Sequence, residues 1–365
     1  MNIIEIFFSD WRNLVDVHIS LDAATNIFIG NNAQGKTNIL EAINFASLLK
    51  SRAGKESELI RWGQSVAFVR ITYIKAGIEH ELAIEVSASR RRRILLDANP
   101  IRPRELIGKL NSVFFSPEDL FMFKGSPSTR RKFLDAQIAQ AVPIYFLELM
   151  KYTRLVEIRN ALLKKIRDGS AQIAELELWD EQLAAAADKV ISRRLAAVDK
   201  LNVLANRVQK KISAQAEDLS IIYEMRGLDS QENIAENFLS ALRTRRIKDI
   251  QSSSTSFGAH RDDLKFLING RELKLFGSQG QLRTAALALK LSELQFLQEA
   301  TGEYPLLLLD DVMSELDATR REILLEFLRR EKIQTLITAT DRNFFPPQIF
   351  GKVFVISAGA IKKSP

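Results

Sequence analysis

Residues Gly30 to Thr37 run GNNAQGKT, which fits the pattern G-x-x-x-x-G-K-T. A loop of this composition can curl backbone N–H groups around phosphate oxygens. Its lysine can reach the β and γ phosphates, and its threonine can set a hydroxyl on Mg²⁺. Gly30, Asn31, Asn32, Ala33, Gln34, Gly35, Lys36, Thr37 and the adjoining Asn38 are therefore candidates for holding a nucleoside triphosphate such as ATP. Lys36 is the candidate catalytic cation and Thr37 a candidate Mg²⁺ ligand. The apolar run Ile27, Phe28, Ile29 predicts a buried strand before the loop. The spacing of Ile39, Ala42, Ile43 and Ala46 predicts a helix over about 37–49 after it, with its positive end facing the anion.

Two further stretches carry compatible chemistry. Leu306 to Leu309 are four leucines, followed by Asp310 and Asp311. An apolar strand ending in carboxylates can partner a phosphate loop. Asp310 would hold Mg²⁺, directly or through water, and Asp311 would orient or deprotonate the attacking water. Alone, a strand entering an acidic turn is commonplace; the loop upstream and Ser314, Glu315, Leu316 and Asp317 downstream give it weight. Ser278, Gln279, Gly280 and Gln281 form a Ser-x-Gly-Gln turn before an expected helix. Such a turn presents a hydroxyl and backbone amides to an anion. In isolation it is a cap, and its position ahead of the aspartate pair is what singles it out.

Basic residues form a different kind of candidate. The net charge is +7, which suits a polyanionic partner. Arg90, Arg91, Arg92, Arg93, Arg102 and Arg104 form the densest cluster, on an expected hairpin. Arg130, Arg131 and Lys132 form another, and Arg243, Arg245, Arg246 and Lys248 a third. Such side chains neutralise phosphates without reading bases, and charge runs are also the ordinary makeup of a solvated face. No base-reading motif is visible. His260 is one of three histidines, and suits either a structural loop position or a contact near bound nucleotide.

The elements that must position these groups can be read in outline. Alternating residues predict strands over about 1–30 and 66–86, with a short buried strand at Val113 to Phe115. From about Pro127 to Ser220 glycine nearly vanishes. Leu155, Ile158, Leu162 and Ile166, then Leu183, Ala187, Val190, Val198, Leu201, Leu204, Val208 and Ile212, fall at helical spacing. These amphipathic helices are expected to break near Asp168, Gly169 and Ser170 and to fold into a short antiparallel arm. Ser252 to Ser254 read as a linker, after which strands and helices alternate to the end.

The composition, 46% hydrophobic and 27% charged over 365 residues, allows a substantial core. There is no cysteine, which excludes disulfides, thiolate zinc sites and a cysteine nucleophile. The start of the chain has no secretory pattern and no apolar run of spanning length occurs. A cytoplasmic protein is expected.

The order G-x-x-x-x-G-K-T, S-x-G-Q, four apolar residues with D-D, then S-E-L-D resembles an ATP-binding-cassette ATPase. The wide helical insertion resembles the head of the SMC family. Within it, the chain is similar to the RecF family of bacterial recombination mediators. The resemblance rests on Trp11 to Leu14, Gly30 to Ile43, Ser116 to Leu120, Arg130 to Asp135, Gly258 to Leu264, Ser278 to Gln281 and Asp310 to Asp317. It covers nearly the whole chain.

That resemblance implies an α/β fold: an ABC/SMC-type P-loop ATPase head with a mixed sheet and an inserted α-helical arm. The head would comprise 1–125 and 253–365, and the arm 126–252. It implies a homodimer formed on ATP, with Ser278, Gly280 and their neighbours Gln279 and Gln281 capping the nucleotide of the other subunit, Asp317 nearby, and Arg12 on base or phosphates. Weak, DNA-stimulated hydrolysis would reset the dimer. The implied partners are double-stranded and gapped DNA, and RecR with RecO, in loading RecA at single-strand gaps; no membrane is implied. The chain departs from the wider pattern in three places. Asp311 replaces the usual glutamate, Ser116 to Asp119 stand near the glutamine loop without a glutamine, and Thr340 is the candidate substitute for the switch histidine. A competing reading is another SMC-like ATPase that serves a separate effector such as a nuclease.

Overall fold

The computed structural model describes residues 1–49, 54–228, 230–345 and 351–363. They form two compact units, Met1–Leu120 with Lys290–Pro365, and Phe121–Leu289.

The first unit holds two six-stranded sheets. One is antiparallel: Leu14–Ser20, Asn2–Trp11, Val66–Lys75, Ile78–Ser87, Arg93–Leu96 and Asn99–Pro100, in that spatial order. The other is mostly parallel: Ala360–Lys363, Gly351–Ser357, Thr25–Ile29, Thr335–Ala339, Leu306–Asp310 and Ser112–Phe115. Helix Lys36–Leu48 shares one apolar core with both. Ile6, Phe8 and Trp11 meet Ile39, Ile43 and Phe45 of the helix, and Phe28, Leu306, Leu308 and Leu336 complete the cluster. Nine of the thirteen helix residues are buried, as a sequence with almost no charged face requires. Buried Gln334 fastens the N-terminal strand to the end of the next: its Oε1 accepts from Ile3 N at 2.6 Å, and its Nε2 donates to Ile3 O at 2.8 Å and Asp22 O at 2.7 Å. No described helix is long and apolar enough to cross a membrane.

The second unit is built on helices Pro127–Ala141, Ile144–Arg167, Leu176–Ile212 and Ile234–Ser252. The break at Gly169 is where glycine and its neighbours predict it, with φ of 76°. Leu183, Ala187, Val190, Val198, Leu201, Leu204 and Val208 are buried along one stripe. Two expectations need correction. The stretch 126–252, expected to be helical, includes a strand: Leu219–Glu224, paired antiparallel with Asp263–Ile268. Ser252 to Ser254 are no linker, because the chain that follows is built into this unit up to Leu289. The reason is a buried polar network. Arg159 Nε donates to Asp180 at 2.7 Å, and its Nη1 donates to Asp249 at 2.7 Å and to Thr255 Oγ1 at 3.0 Å. Buried charges persist when paired in this way. The arm sequence supplies the cations, and the segment after Ser254 supplies part of their coordination.

His260 belongs to the same fabric. Its Nδ1 lies 2.8 Å from the Tyr152 hydroxyl and its Nε2 lies 3.1 Å from Thr255 O, so Nε2–H donates and Nδ1 accepts. Burial pushes its pKa down from 6.5 to about 4; nearby Arg261, Arg131 and Arg194 push the same way, against the bond to Thr255. The unfolded imidazole takes a proton that the folded one refuses. Stability should therefore fall as pH drops from 6.5 towards about 4, and this contribution should not change further below that. Urea midpoints compared near pH 7 and near about pH 5 should show a smaller drop for His260→Gln than for the unaltered chain. Equal drops would mean that this histidine is not the titrating group.

Candidate nucleotide-binding site

A cavity of about 500 Å³ opens over the start of helix Lys36–Leu48. Asn32 to Asn38 form one wall, Ser116 to Glu118 another, and Asp310, Asp311 and Thr338 the floor. The loop has its shape for local reasons. Ala33 and Gly35 take left-handed φ angles of 63° and 106°. At Gly35 a Cβ would lie 2.6 Å from Asn13 Oδ1, so only glycine fits. At Gly30 a Cβ would lie 2.4 Å from Ile356 O. No side chain caps the helix that begins at Lys36, so its first amides face the cavity with their positive end. A phosphate is the ligand that such an end recognises.

The floor is a hydroxyl–carboxylate node. Asp310 Oδ1 accepts from Thr37 Oγ1 at 2.8 Å and from Thr338 Oγ1 at 2.7 Å. Thr338 Oγ1 accepts in turn from Asp311 N at 2.9 Å. Lys36 Nζ donates to Gly30 O at 2.6 Å and Asn31 O at 2.9 Å, folded back on its own loop. Burial lowers the lysine pKa, with Asp311 and Asp310 opposing. Burial raises the Asp311 pKa, opposed by Lys36 and reinforced by Asp310 and Glu315. Its backbone is left-handed, φ 53°, and turns the chain out of the strand into the cavity floor. The Thr37 hydroxyl and the Asp310 carboxylate are the hard oxygen donors that would take Mg²⁺, which keeps most of its remaining positions for water and phosphate.

Other expected site residues fall elsewhere. Arg12 stands behind the cavity: its guanidinium donates to Asn38 Oδ1 at 3.0 Å and pairs with Glu41 at 2.7 Å, so it braces residues of the wall. Thr340 is exposed, one position beyond strand Thr335–Ala339, and does not line the cavity. Thr338 does, because it sits beside Asp310 in the parallel register. Asp317 caps helix Ala318–Glu331 by accepting from Arg320 N at 2.9 Å, and is not a lining residue. In the second unit, Ser278 and Gln281 cap each other: Ser278 Oγ accepts from Gln281 N at 3.2 Å and Gln281 Oε1 from Ser278 N at 3.1 Å. Ser278, Gln279 and Gly280 are exposed.

The basic clusters divide in the same way. Arg90, Arg91, Arg93, Arg102 and Arg104 are exposed, and Arg92 is half-buried against Glu56. Arg130 must be withdrawn as a DNA contact: it is buried and its fork grips both oxygens of Asp263 at 2.8 Å. Arg131 is half-buried and donates to Asp262 O at 2.7 Å. Arg243 and Arg246 pair with Glu177, and Arg245 stacks over Phe257. Residues that pattern reading missed are Thr338, Glu41 and Asn13. The hint for Thr338 was a polar residue inside the apolar run Leu336, Ile337.

The family model described as "RecF/RecN/SMC N terminal domain" matches residues 2–354. The chain belongs to this family. It is 40% identical to the "DNA replication and repair protein RecF" of Halothermothrix orenii, over all of this chain and 99% of that protein. It is 39% identical to the protein of the same description from Heliobacterium modesticaldum, again over the full length of both. Among solved structures it is similar to a "recombination mediator protein RecF-ATP in RecFOR pathway", with 37% identity, a TM-score of 0.92 and 98% of that chain covered. The fold is that of an SMC/RecF ABC-type ATPase head, as an SMC head at 16% identity and a TM-score of 0.58 also indicates.

The node yields a discriminating test. Removing a hydrogen bond to a charged group costs about 1.5–3 kcal/mol. Thr338→Val should lower ATP turnover roughly tenfold or more while nucleotide affinity changes little. Thr340→Val should leave both near the starting values. The reverse ranking in a steady-state ATPase assay would restore Thr340 as the substitute for the switch histidine.

Proposed function

We propose that this chain is an ATP-dependent, DNA-binding recombination mediator. The observation that carries this reading is the Asp310 carboxylate accepting the Thr37 hydroxyl at 2.8 Å at the mouth of the phosphate loop, the pairing that a Mg²⁺–triphosphate needs. In this reading Gly30 to Asn38 cradle ATP and Lys36 turns from its carbonyl partners to the β and γ phosphates. Thr37 and Asp310 hold Mg²⁺, and Asp311 prepares the attacking water. Its raised pKa suits a group that takes a proton.

The exposed Ser278 turn then caps ATP bound by a second copy, and the nucleotide joins two heads. A ligand that binds the dimer better than the monomer drives association by mass action. Weak hydrolysis, stimulated by DNA, releases it. The exposed arginines Arg90, Arg91, Arg93, Arg102 and Arg104 neutralise phosphates of duplex or gapped DNA in the cytoplasm. The similar protein solved with ATP is a recombination mediator of the RecFOR pathway, which supports RecR with RecO as partners and RecA loading at gaps as the outcome.

Sedimentation and DNA binding with and without ATP test the scheme. Lys36→Ala should lose ATP binding, and Ser278→Ala should bind ATP yet stay monomeric. Asp311→Asn should bind ATP and remain dimeric because turnover stalls. Dimers that form equally without ATP would sink the switch, and a flat salt dependence of DNA binding would sink the phosphate contacts.

A further inference from the structure

Trp62 is 98% exposed. The other two tryptophans differ: Trp11 is fully buried and Trp179 half-buried. A free indole face in water forgoes the stabilisation that burial gives a large aromatic. The turn that carries it is nonetheless tightly held. Arg61 N donates to Asp10 O at 2.9 Å, and Arg61 Nε donates to Asp10 Oδ1 at 2.7 Å. Gln64 N closes the turn on Arg61 O at 3.0 Å, and Ile60 bridges to Trp11. The indole is thus presented by a fixed loop.

The neighbouring loop is basic. Ala88 N donates to Ser65 O at 3.0 Å, which joins the end of the Trp62 loop to the start of Arg90 to Arg93. Arg92 reaches back to Glu56, at the beginning of the Trp62 loop. Arg90, Arg91 and Arg93 remain exposed. An open aromatic face beside exposed arginines is the chemistry of single-strand recognition, in which an unpaired base stacks and its phosphates are neutralised. Duplex DNA offers no free base face for such a stack.

We infer that the Trp62 turn and the Arg90 to Arg93 loop form a site for unpaired DNA bases, which holds the single-stranded side of a gap. This rests on the DNA-binding reading above and adds the part of the substrate that the tryptophan touches.

The test uses the full chain with ATP and labelled oligothymidine, gapped duplex and blunt duplex, read by fluorescence anisotropy. Trp62→Ala should weaken oligothymidine and gapped binding about fivefold or more, with blunt duplex changed less than about twofold. Trp62→Phe, which keeps an aromatic face, should retain most of the affinity. Oligothymidine should quench tryptophan emission of the unaltered chain, and that quenching should disappear in Trp62→Ala. Unchanged oligothymidine affinity in Trp62→Ala, or equal losses on duplex and single strand, would overturn the site and leave the DNA-binding reading standing. Failure of the unaltered chain to bind any of the three DNAs would overturn that reading itself.

Discussion

One carboxylate oxygen organises the candidate site. Asp310 Oδ1 receives two hydroxyls, one from the first turn of the loop helix and one from the adjacent strand. The second hydroxyl also takes the amide of Asp311. A partly buried carboxylate is stable only with donors around it, so the strand end, the loop helix and the next strand constrain one another. The four leucines before Asp310 are all but fully buried and anchor that oxygen to the middle of a sheet. The placing of the cavity floor is therefore set by apolar packing several residues away.

What the sequence made legible follows the range of each interaction. Strand, loop and helix at Thr25–Leu48 are written locally, in an apolar run, two glycines and a helical stripe; the helix falls within a residue of its expected bounds, and the strand begins two residues before the apolar run. The aspartate strand was equally plain. Thr338 was not, because its role depends on lying opposite Asp310, and register between strands 28 positions apart leaves no local mark. Thr340 shares the parity of Thr338 but lies one residue past the end of strand Thr335–Ala339, where it is exposed, although its type was right for the chemistry.

Charge misled at Arg130, an expected DNA contact that is buried, as are Arg159 and Arg194 of the same basic helical stretch. Their partners come from far along the chain: Asp263 for Arg130, Asp249 and Thr255 for Arg159, and the carbonyl of Ala259 for Arg194. A pattern rule sees a charge and not its partner, and a serine run reads as a linker although the segment after it is stitched into the buried network. Burying a guanidinium demands several well-placed acceptors, and that demand draws the Gly258 to Leu264 segment into the arm.

The position of strand Thr25–Ile29 has a consequence for how the chain is made. Its two neighbours in the sheet are Thr335–Ala339 and Gly351–Ser357, both near the end of the chain. At about 5–20 residues per second, the phosphate loop leaves the ribosome tens of seconds before either flanking strand exists. During that interval an apolar strand has no partner and the loop behind it has no floor. A chain that ended before Thr335 would carry its phosphate loop written but not yet shaped.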